Sequence, residues 1–131
     1  QAIDAARSVL DQPISGLWFQ DSSEEVLQPV AMTVESTEVV GTPPTYSAGE
    51  CLSWEAFVAN EFRAYDDVRA HPKRLNPETP IRSEIIIPLG EHGIINMGSA
   101  KPASFSEADV SMARIFGKTV EMALDRAERE Q

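Results

Sequence analysis

The segment from Ser83 to Ser99 constrains the fold more than any other part of the chain. It reads SEIIIPLGEHGIINMGS, in which two apolar runs flank a Gly-Glu-His-Gly turn. That pattern is typical of a β-hairpin. Alternation along the first run points Ile85 and Ile87 to one face of the strand and Ile86 to the other. Because both faces are apolar, the sequence predicts a sheet that is covered on both sides.

Helical periodicity at the two ends predicts the remaining layers. Residues 2–10 carry an apolar stripe that Pro13 ends, and a longer helix is expected from Glu107 to about Glu130. ISGLWFQ and VLQPVAMTV predict two further strands, and CLSWEAFVAN predicts a short amphipathic helix between a loop at 41–49 and the short strand FRAYD. The expected class is α+β with an antiparallel sheet.

The start of the last helix has a purely structural explanation. Ser106 and Asp109 have the spacing of a capping box, in which the Ser hydroxyl accepts a hydrogen bond from a free backbone amide. Phe105 and Val110 have the spacing of a hydrophobic staple. The stretch SFSEADV therefore predicts a helix start without reference to any ligand.

The amino-acid composition limits the classes of molecule that this domain can bind directly. The 131 residues fit one domain, and 21 acidic against 11 basic residues give a net charge of -10. Such a field repels phosphate backbones and anionic lipids, so we expect no nucleic acid and no membrane as direct partners. No bilayer-spanning tract and no export leader are apparent, and the single Cys51 cannot form an internal disulfide. The single cysteine favours a reducing cytoplasm. Because the sequence begins with Gln1 and ends inside a helical pattern, we interpret it as a piece of a longer protein. The acidic excess, with Arg favoured over Lys, suits a salt-rich cytoplasm.

The ordered motifs GLWFQD, AGECLSWEAF, DDV, HP, PIRSEIIIPLG and GIINMGSAKPASFSEADV, followed by ALDRAERE, cover nearly the whole chain. In this order they resemble a GAF domain, most closely those of bacterio-opsin activator-like transcription regulators of salt-loving archaea. The resemblance implies a PAS-related α+β fold with a central antiparallel sheet of five to six strands. The N- and C-terminal helices would pack on one face, with a short helix and loops over the other. One domain, 1–131, would comprise a leading helix (1–11), sheet and pocket elements (14–99) and a signalling helix (107–131).

The resemblance also bears on cyclic nucleotides. GAF domains that bind them carry a signature of Asn-Lys, a gap, and Phe-x-x-x-Asp-Glu, which Asn96, Phe105 and Asp109 match. Met97 replaces the Lys and Val110 replaces the Glu. Because Met97 cannot pair with the Asp, we expect this chain not to bind cyclic nucleotides and to keep only the geometry of the helix start.

By resemblance, the short helix and the loop from Asp66 to Arg82 roof a pocket for a small organic ligand. The predicted ligand-binding residues are Trp54, Phe57, Tyr65, Asp67, Val68, Arg82 and Ile85. In this group Asp67 and Arg82 would orient the ligand. The alternative is that the aromatic side chains fill the pocket themselves and no ligand binds.

Heptad spacing along the last helix predicts an interface. The seam comprises Val110, Ala113, Gly117, Val120 and Leu124. A second, partly apolar stripe comprises Met112, Ile115, Phe116, Thr119 and Met122. One stripe would pack on the sheet while the other meets a second copy, which predicts a homodimer. The alternative is a single broad face that is buried within one chain.

Catalysis and metal binding have weaker support. As a nucleophile Cys51 needs a base and an electropositive site, and neither His71 nor His92 is near it in sequence. Asp66, Asp67 and His71 would need a helix that Pro72 disfavours in order to share a metal. We therefore predict no catalytic residues, no metal and no cofactor, and hence no enzyme.

The function predicted from these features is that of a sensory domain in a cytoplasmic transcription regulator. It would bind an unknown small molecule, signal through its terminal helices and contact DNA only through a separate output domain. Two alternatives stay open: a dimerisation scaffold that binds no ligand, and a redox enzyme that depends on Cys51.

Overall fold

The computed structural model describes residues 14–21, 23–33, 36, 38, 41–47, 51–71 and 80–130. The leading helix predicted at 2–10 lies outside these residues. The described elements, in chain order, are β1 (Ile14–Asp21), β2 (Val26–Met32), β3 (Tyr46–Ser47), α1 (Leu52–Ala59), β4 (Arg63–Tyr65), a 3-10 helix (Val68–Ala70), β5 (Ser83–Pro88), β6 (Gly93–Ser99) and α2 (Glu107–Arg129).

The strands form a six-stranded sheet in the order β3-β2-β1-β6-β5-β4. All neighbouring pairs are antiparallel, which confirms the predicted α+β class and its antiparallel sheet. The predicted hairpin is β5–β6, with Ile87 opposite Ile95. At its turn Gly93 has φ +155°, and an added Cβ would lie 1.9 Å from the backbone oxygen of Trp18. Only glycine fits there.

Apolar side chains cover both faces of the sheet, as the hairpin sequence predicts. On one face Ile86 and Ile94 pack with Leu52, Ala56 and Phe57 of α1. On the other face Ile85, Ile87 and Ile95 pack with Ala113 and the partly buried Val120 and Leu124 of α2. Alternation along β5 and β6 therefore places consecutive residues in two separate cores.

The predicted start of α2 is confirmed. The Ser106 hydroxyl accepts from the Asp109 amide at 3.1 Å, and the Asp109 carboxylate accepts from the Ser106 amide at 2.9 Å. Phe105 and Val110 both pack against the core beneath the helix. This double cap satisfies two backbone donors that the first turn cannot pair by itself.

One predicted loop contains a strand. Within 41–49, expected to be irregular because of its prolines and glycines, Tyr46 and Ser47 pair with Leu27 and Val26 at the edge of β2. Tyr46 is buried against the ring of Trp18, with ring centroids 5.0 Å apart. That long-range contact fixes the segment, and local sequence composition carries no signal for it.

Candidate ligand-binding cavity

A cavity of about 210 Å³ lies between the sheet and α1. Its floor comes from β1, β5 and β6, and its rim comes from the start of α1 and residues 41–44. The apolar side chains that line it are Ile14, Trp18, Met32, Leu52, Val68 and Ile81. The volume exceeds the roughly 150 Å³ of an apolar protein cavity that holds a benzene molecule. The cavity is therefore large enough for a small organic molecule.

Trp18 forms one wall of the cavity and holds the rim segment in place through two contacts. Its indole Nε1 donates a hydrogen bond to the Pro44 carbonyl at 2.9 Å, and its ring contacts Tyr46. Both residues line the cavity. The aromatic wall and the covering segment are thus joined by a hydrogen bond as well as by packing.

Asn96 places a polar group in the cavity floor. Its Nδ2 donates to the Tyr46 hydroxyl and to the Ser53 hydroxyl, each at 3.1 Å. Its Oδ1 is buried and, within the described part of the chain, has no hydrogen-bond partner. A buried acceptor without a partner costs about 1–3 kcal/mol. A ligand that donates to Oδ1 would recover that free energy.

Glu84 places a carboxyl group in the same cavity. Its half-buried side chain projects from the α1 face of β5, where loss of hydration raises the pKa of the carboxyl from 4.5 to about 7. No residue in the described ranges forms a hydrogen bond or ion pair with it. Burial, and to a smaller degree the nearby Glu84, raises the pKa of the Tyr46 hydroxyl.

Cys51 lines the cavity beside these groups and is almost fully buried. Burial raises the pKa of its thiol, and the carboxylates of Glu84 and Glu55 add to that effect. The backbone amides of Trp54 and Ser53 act in the opposite direction. The neutral thiol is therefore the favoured form at neutral pH.

Asp67 and Arg82, predicted as ligand-orienting groups, pair with each other. Arg82 Nε donates to Asp67 Oδ1 at 3.0 Å, and this guanidinium lowers the pKa of the Asp67 carboxyl from 3.8 to about 2. Asp67 also accepts from the Arg69 amide and so caps the 3-10 helix. The pair fixes the segment that carries Val68 into the cavity wall.

The other predicted ligand-binding residues lie in several places. Val68 lines the cavity, whereas Ile85 lies in the core on the opposite face of the sheet. The rings of Trp54 and Phe57 pack together at 5.5 Å, and Tyr65 packs edge-on against His71 at 5.6 Å. None of these four aromatic residues is among the described residues that line the cavity.

Sequence reasoning missed Trp18, Tyr46, Ser53, Glu84 and Asn96 as cavity residues. A signal was present for two of them. Glu84 and Asn96 are polar side chains within apolar strand runs, and each has the parity of the residues that face α1. A polar residue on a buried strand face is a recognisable sign of a site.

The seam predicted on α2 faces the sheet. Ala113 and Gly117 are buried, and Val110, Val120 and Leu124 pack against the core. Most of the second stripe is exposed, with Met112 exposed by 42%, Ile115 by 68% and Met122 by 62%. Phe116 of that stripe instead packs against the core beneath α2. The exposed large apolar side chains of α2 therefore belong to the second stripe.

Neither a metal cluster nor a membrane crossing is found among the described residues. No group of three or more His, Cys, Asp and Glu side chains there is placed to hold a metal ion. No helix described in 14–130 combines the length and the apolar character needed to cross a bilayer.

The family model described as GAF domain matches residues 1–125. The chain belongs to the GAF domain family. GAF domains are in general sensory or regulatory domains for small molecules, which accords with a cavity in this position. No curated protein matches the sequence.

Solved structures share the GAF fold with this domain at low identity. The free methionine-R-sulfoxide reductase from Neisseria meningitidis, in complex with its substrate, has a TM-score of 0.81 and 18% identity over 98% of this chain and 77% of its own. The type II free methionine-R-sulfoxide reductase from Thermoplasma acidophilum has a TM-score of 0.68 and 23% identity over 92% of this chain and 93% of its own. The GAF domain of an Acinetobacter phosphoenolpyruvate-protein phosphotransferase has a TM-score of 0.76 and 14% identity over 97% of this chain and 80% of its own.

These neighbours correct one prediction. The prediction that the chain is not an enzyme is overturned, because two structures with the same fold are methionine-R-sulfoxide reductases. That prediction rests on the lack of a histidine base and of an electropositive site near Cys51 in sequence. The lack of these groups disfavours one catalytic arrangement, whereas the two reductases show that a GAF fold can carry out catalysis.

Proposed function

We propose that this GAF domain is the sensory domain of a cytoplasmic transcription regulator and binds a small organic ligand between its sheet and α1. The observation that carries the proposal is the buried Oδ1 of Asn96, which has no hydrogen-bond partner among the described residues and lies in a cavity whose walls are largely aromatic and aliphatic. An apolar cavity with a few convergent polar groups is the usual form of a small-molecule site. The regulator context rests on the resemblance to bacterio-opsin activator-like proteins, and no such regulator is among the similar proteins reported above.

Strand β6 beneath the cavity could also transmit a structural change from a bound ligand to α2. Asn96 faces the cavity, whereas Ile95 and Met97 on either side of it face the α2 core. At the hairpin turn, His92 Nε2 lies 2.7 Å from Asp125 Oδ1 near the end of α2. A ligand that shifts β6 therefore acts on the packing of α2, provided that it binds two arrangements of the helix unequally.

The proposed partner for α2 is a second copy of the domain. Met112, Ile115, Thr119 and Met122 follow a 3-4-3 spacing on the exposed side of the helix. This spacing matches the seam of a parallel or antiparallel helix pair. Signals would then pass along paired helices to a separate DNA-binding domain.

Native mass spectrometry tests the proposal. Protein purified and sprayed from concentrated volatile salt should show a dimer that carries extra mass, and the extra mass should be lost on denaturation. The mass identifies the ligand. A protein that stays bare, and remains so after incubation with extracts of small metabolites, would contradict ligand sensing and leave a dimerisation scaffold.

A second function uses the same cavity. Cys51 and Glu84 both line it, and Glu84 is held partly protonated near neutral pH. We propose as an alternative that the Cys51 sulfur attacks the sulfur of a bound sulfoxide, while Glu84 protonates the sulfoxide oxygen and takes up the proton that the Cys51 thiol loses. The oxygen ends on Cys51 as a sulfenic acid, the sulfide leaves, and two equivalents of an external thiol restore Cys51 with release of water and a disulfide.

Turnover of methionine sulfoxide with excess dithiothreitol tests this alternative. Activity that is present in the wild type and absent in Cys51→Ser would support it. Activity that survives the substitution, or no activity in the wild type, would exclude it.

A further inference from the structure

Glu84 and Asn96 face the cavity from neighbouring strands. In the β5–β6 pairing Glu84 lies opposite Gly98, and Asn96 lies opposite Ile86. The two residues are therefore diagonal neighbours on the same face, with backbone positions roughly 7 Å apart. One small group on a ligand can reach both side chains.

Both groups require a hydrogen-bond donor. The Nδ2 of Asn96 is already used by Tyr46 and Ser53, so the free Oδ1 offers only acceptance. An ionised Glu84 likewise accepts only. The described residues that line the cavity include no Lys, Arg or His, although Glu84 is among them. The field inside the cavity therefore attracts cations and repels phosphates and carboxylates.

The aromatic walls of the cavity suit a ligand that has an apolar part and a cationic group at one end. Trp18 and Tyr46 present adjacent rings, and aromatic faces attract ammonium groups as well as apolar carbons. The cavity volume of about 210 Å³ limits such a ligand to one ring or a short branched chain with a single head group.

Resting on the proposed sensory function, we infer that the ligand is a small organic amine. Its ammonium group pairs with Glu84 and donates a further hydrogen bond to Asn96 Oδ1, while its apolar part packs on Trp18. Glu84 is then the residue that determines specificity for an amine.

Three probes with a common ring test the inference: benzylamine, benzyl alcohol and benzoate. Calorimetric titration at mildly alkaline pH compares the wild type, Glu84→Gln and the control Glu91→Gln, whose side chain is exposed in the hairpin turn. Glu84→Gln keeps the size of the side chain and removes its charge. Thermal unfolding of each variant verifies that it is folded.

We expect benzylamine to bind the wild type most tightly and to lose affinity about ten- to a hundred-fold in Glu84→Gln, as the loss of a charge-assisted hydrogen bond implies. Glu91→Gln should bind as the wild type does. Equal or tighter binding of benzoate or benzyl alcohol would overturn the inference while leaving a sensory cavity in place. No binding by any probe would overturn it as well, and the native mass spectrum then decides the sensory function separately.

Discussion

Asn96 in the middle of the sheet donates a hydrogen bond to the hydroxyl of Tyr46 at its edge, over 3.1 Å and across 50 residues of sequence. This bond helps to anchor β3, a strand of only two residues. The same amide forms the polar part of the cavity floor. The packing of β3 and the shape of the proposed site therefore depend on one side chain.

Replacement of Tyr46 by Phe should lower the free energy of unfolding by about 1 kcal/mol, the typical net contribution of one buried hydrogen bond. The Asn96 amide keeps Ser53 as its remaining partner. Chemical denaturation measures the change, and Ser47→Ala, at the exposed neighbouring position, should be near neutral. A Tyr46→Phe variant as stable as the wild type would show that the bond contributes nothing.

Gly117→Ala should destabilise the domain even though alanine favours helices. In an exposed helix this substitution gains about 1 kcal/mol. Here the added Cβ would lie 2.2 Å from Ile87 Cγ2, and overpacking of this kind costs typically about 1–3 kcal/mol. A net loss measured by thermal unfolding is expected, whereas Ser111→Ala on the exposed side of α2 should be neutral or stabilising. A stabilised Gly117→Ala variant would mean that α2 does not pack this closely.

Glu84 should make the domain less stable as pH rises. The pKa of its carboxyl is about 7 in the folded state and 4.5 when unperturbed, so the folded state binds the proton more tightly than the unfolded state does. The cost of ionisation is absent below pH 4.5, grows as pH rises towards 7 and is complete above it. Its upper limit is about 3 kcal/mol.

Denaturant titrations of the wild type and Glu84→Gln across this pH range measure that cost as a difference. The stability advantage of Glu84→Gln over the wild type should increase with pH. A difference for Glu84→Gln that does not change with pH would show that Glu84 has an ordinary pKa.

The two stripes of α2 should respond differently to charge. Ile115→Glu with Met122→Glu should dissociate the proposed dimer without unfolding the domain, because both side chains are exposed. Val120→Glu with Leu124→Glu should unfold the domain, because both side chains pack against the sheet core. Sedimentation and circular dichroism report the two effects, with Ser111→Glu as control. If Val120→Glu with Leu124→Glu dissociated the protein without unfolding it, and Ile115→Glu with Met122→Glu had no effect, the interface would lie on the seam predicted from the sequence.

Sequence patterns predicted those elements that depend on residues close together in the chain. The β5–β6 hairpin follows from its alternation and its glycine turn, and the start of α2 follows from Ser106 and Asp109. The strand at Tyr46 could not be predicted in this way, because its burial depends on Trp18 and Asn96, which are distant in sequence.

Most of the residues that line the cavity could not be predicted from local patterns either. Leu17 and Trp18 are adjacent and both apolar, so alternation alone cannot tell which of them faces α1. Strand register decides it, with Leu17 opposite Ile95 and Trp18 opposite Ile94. Trp54 is predicted as a ligand-binding residue because, by the resemblance, its helix roofs the pocket. In the structure its ring packs on Phe57.

The two tryptophans provide the most direct test of whether small amines bind in the cavity. Trp18 lines the cavity and Trp54 does not, so their indole N–H signals in a two-dimensional heteronuclear NMR spectrum report on different surfaces. During a screen of small amines, molecules that bind should shift the signals of the Trp18 indole and the Asn96 side-chain amide, while the signal of the Trp54 indole stays in place. Binding that moves the Trp54 indole alone, or a full amine screen without any shift at Trp18, would contradict the binding of amines in the cavity.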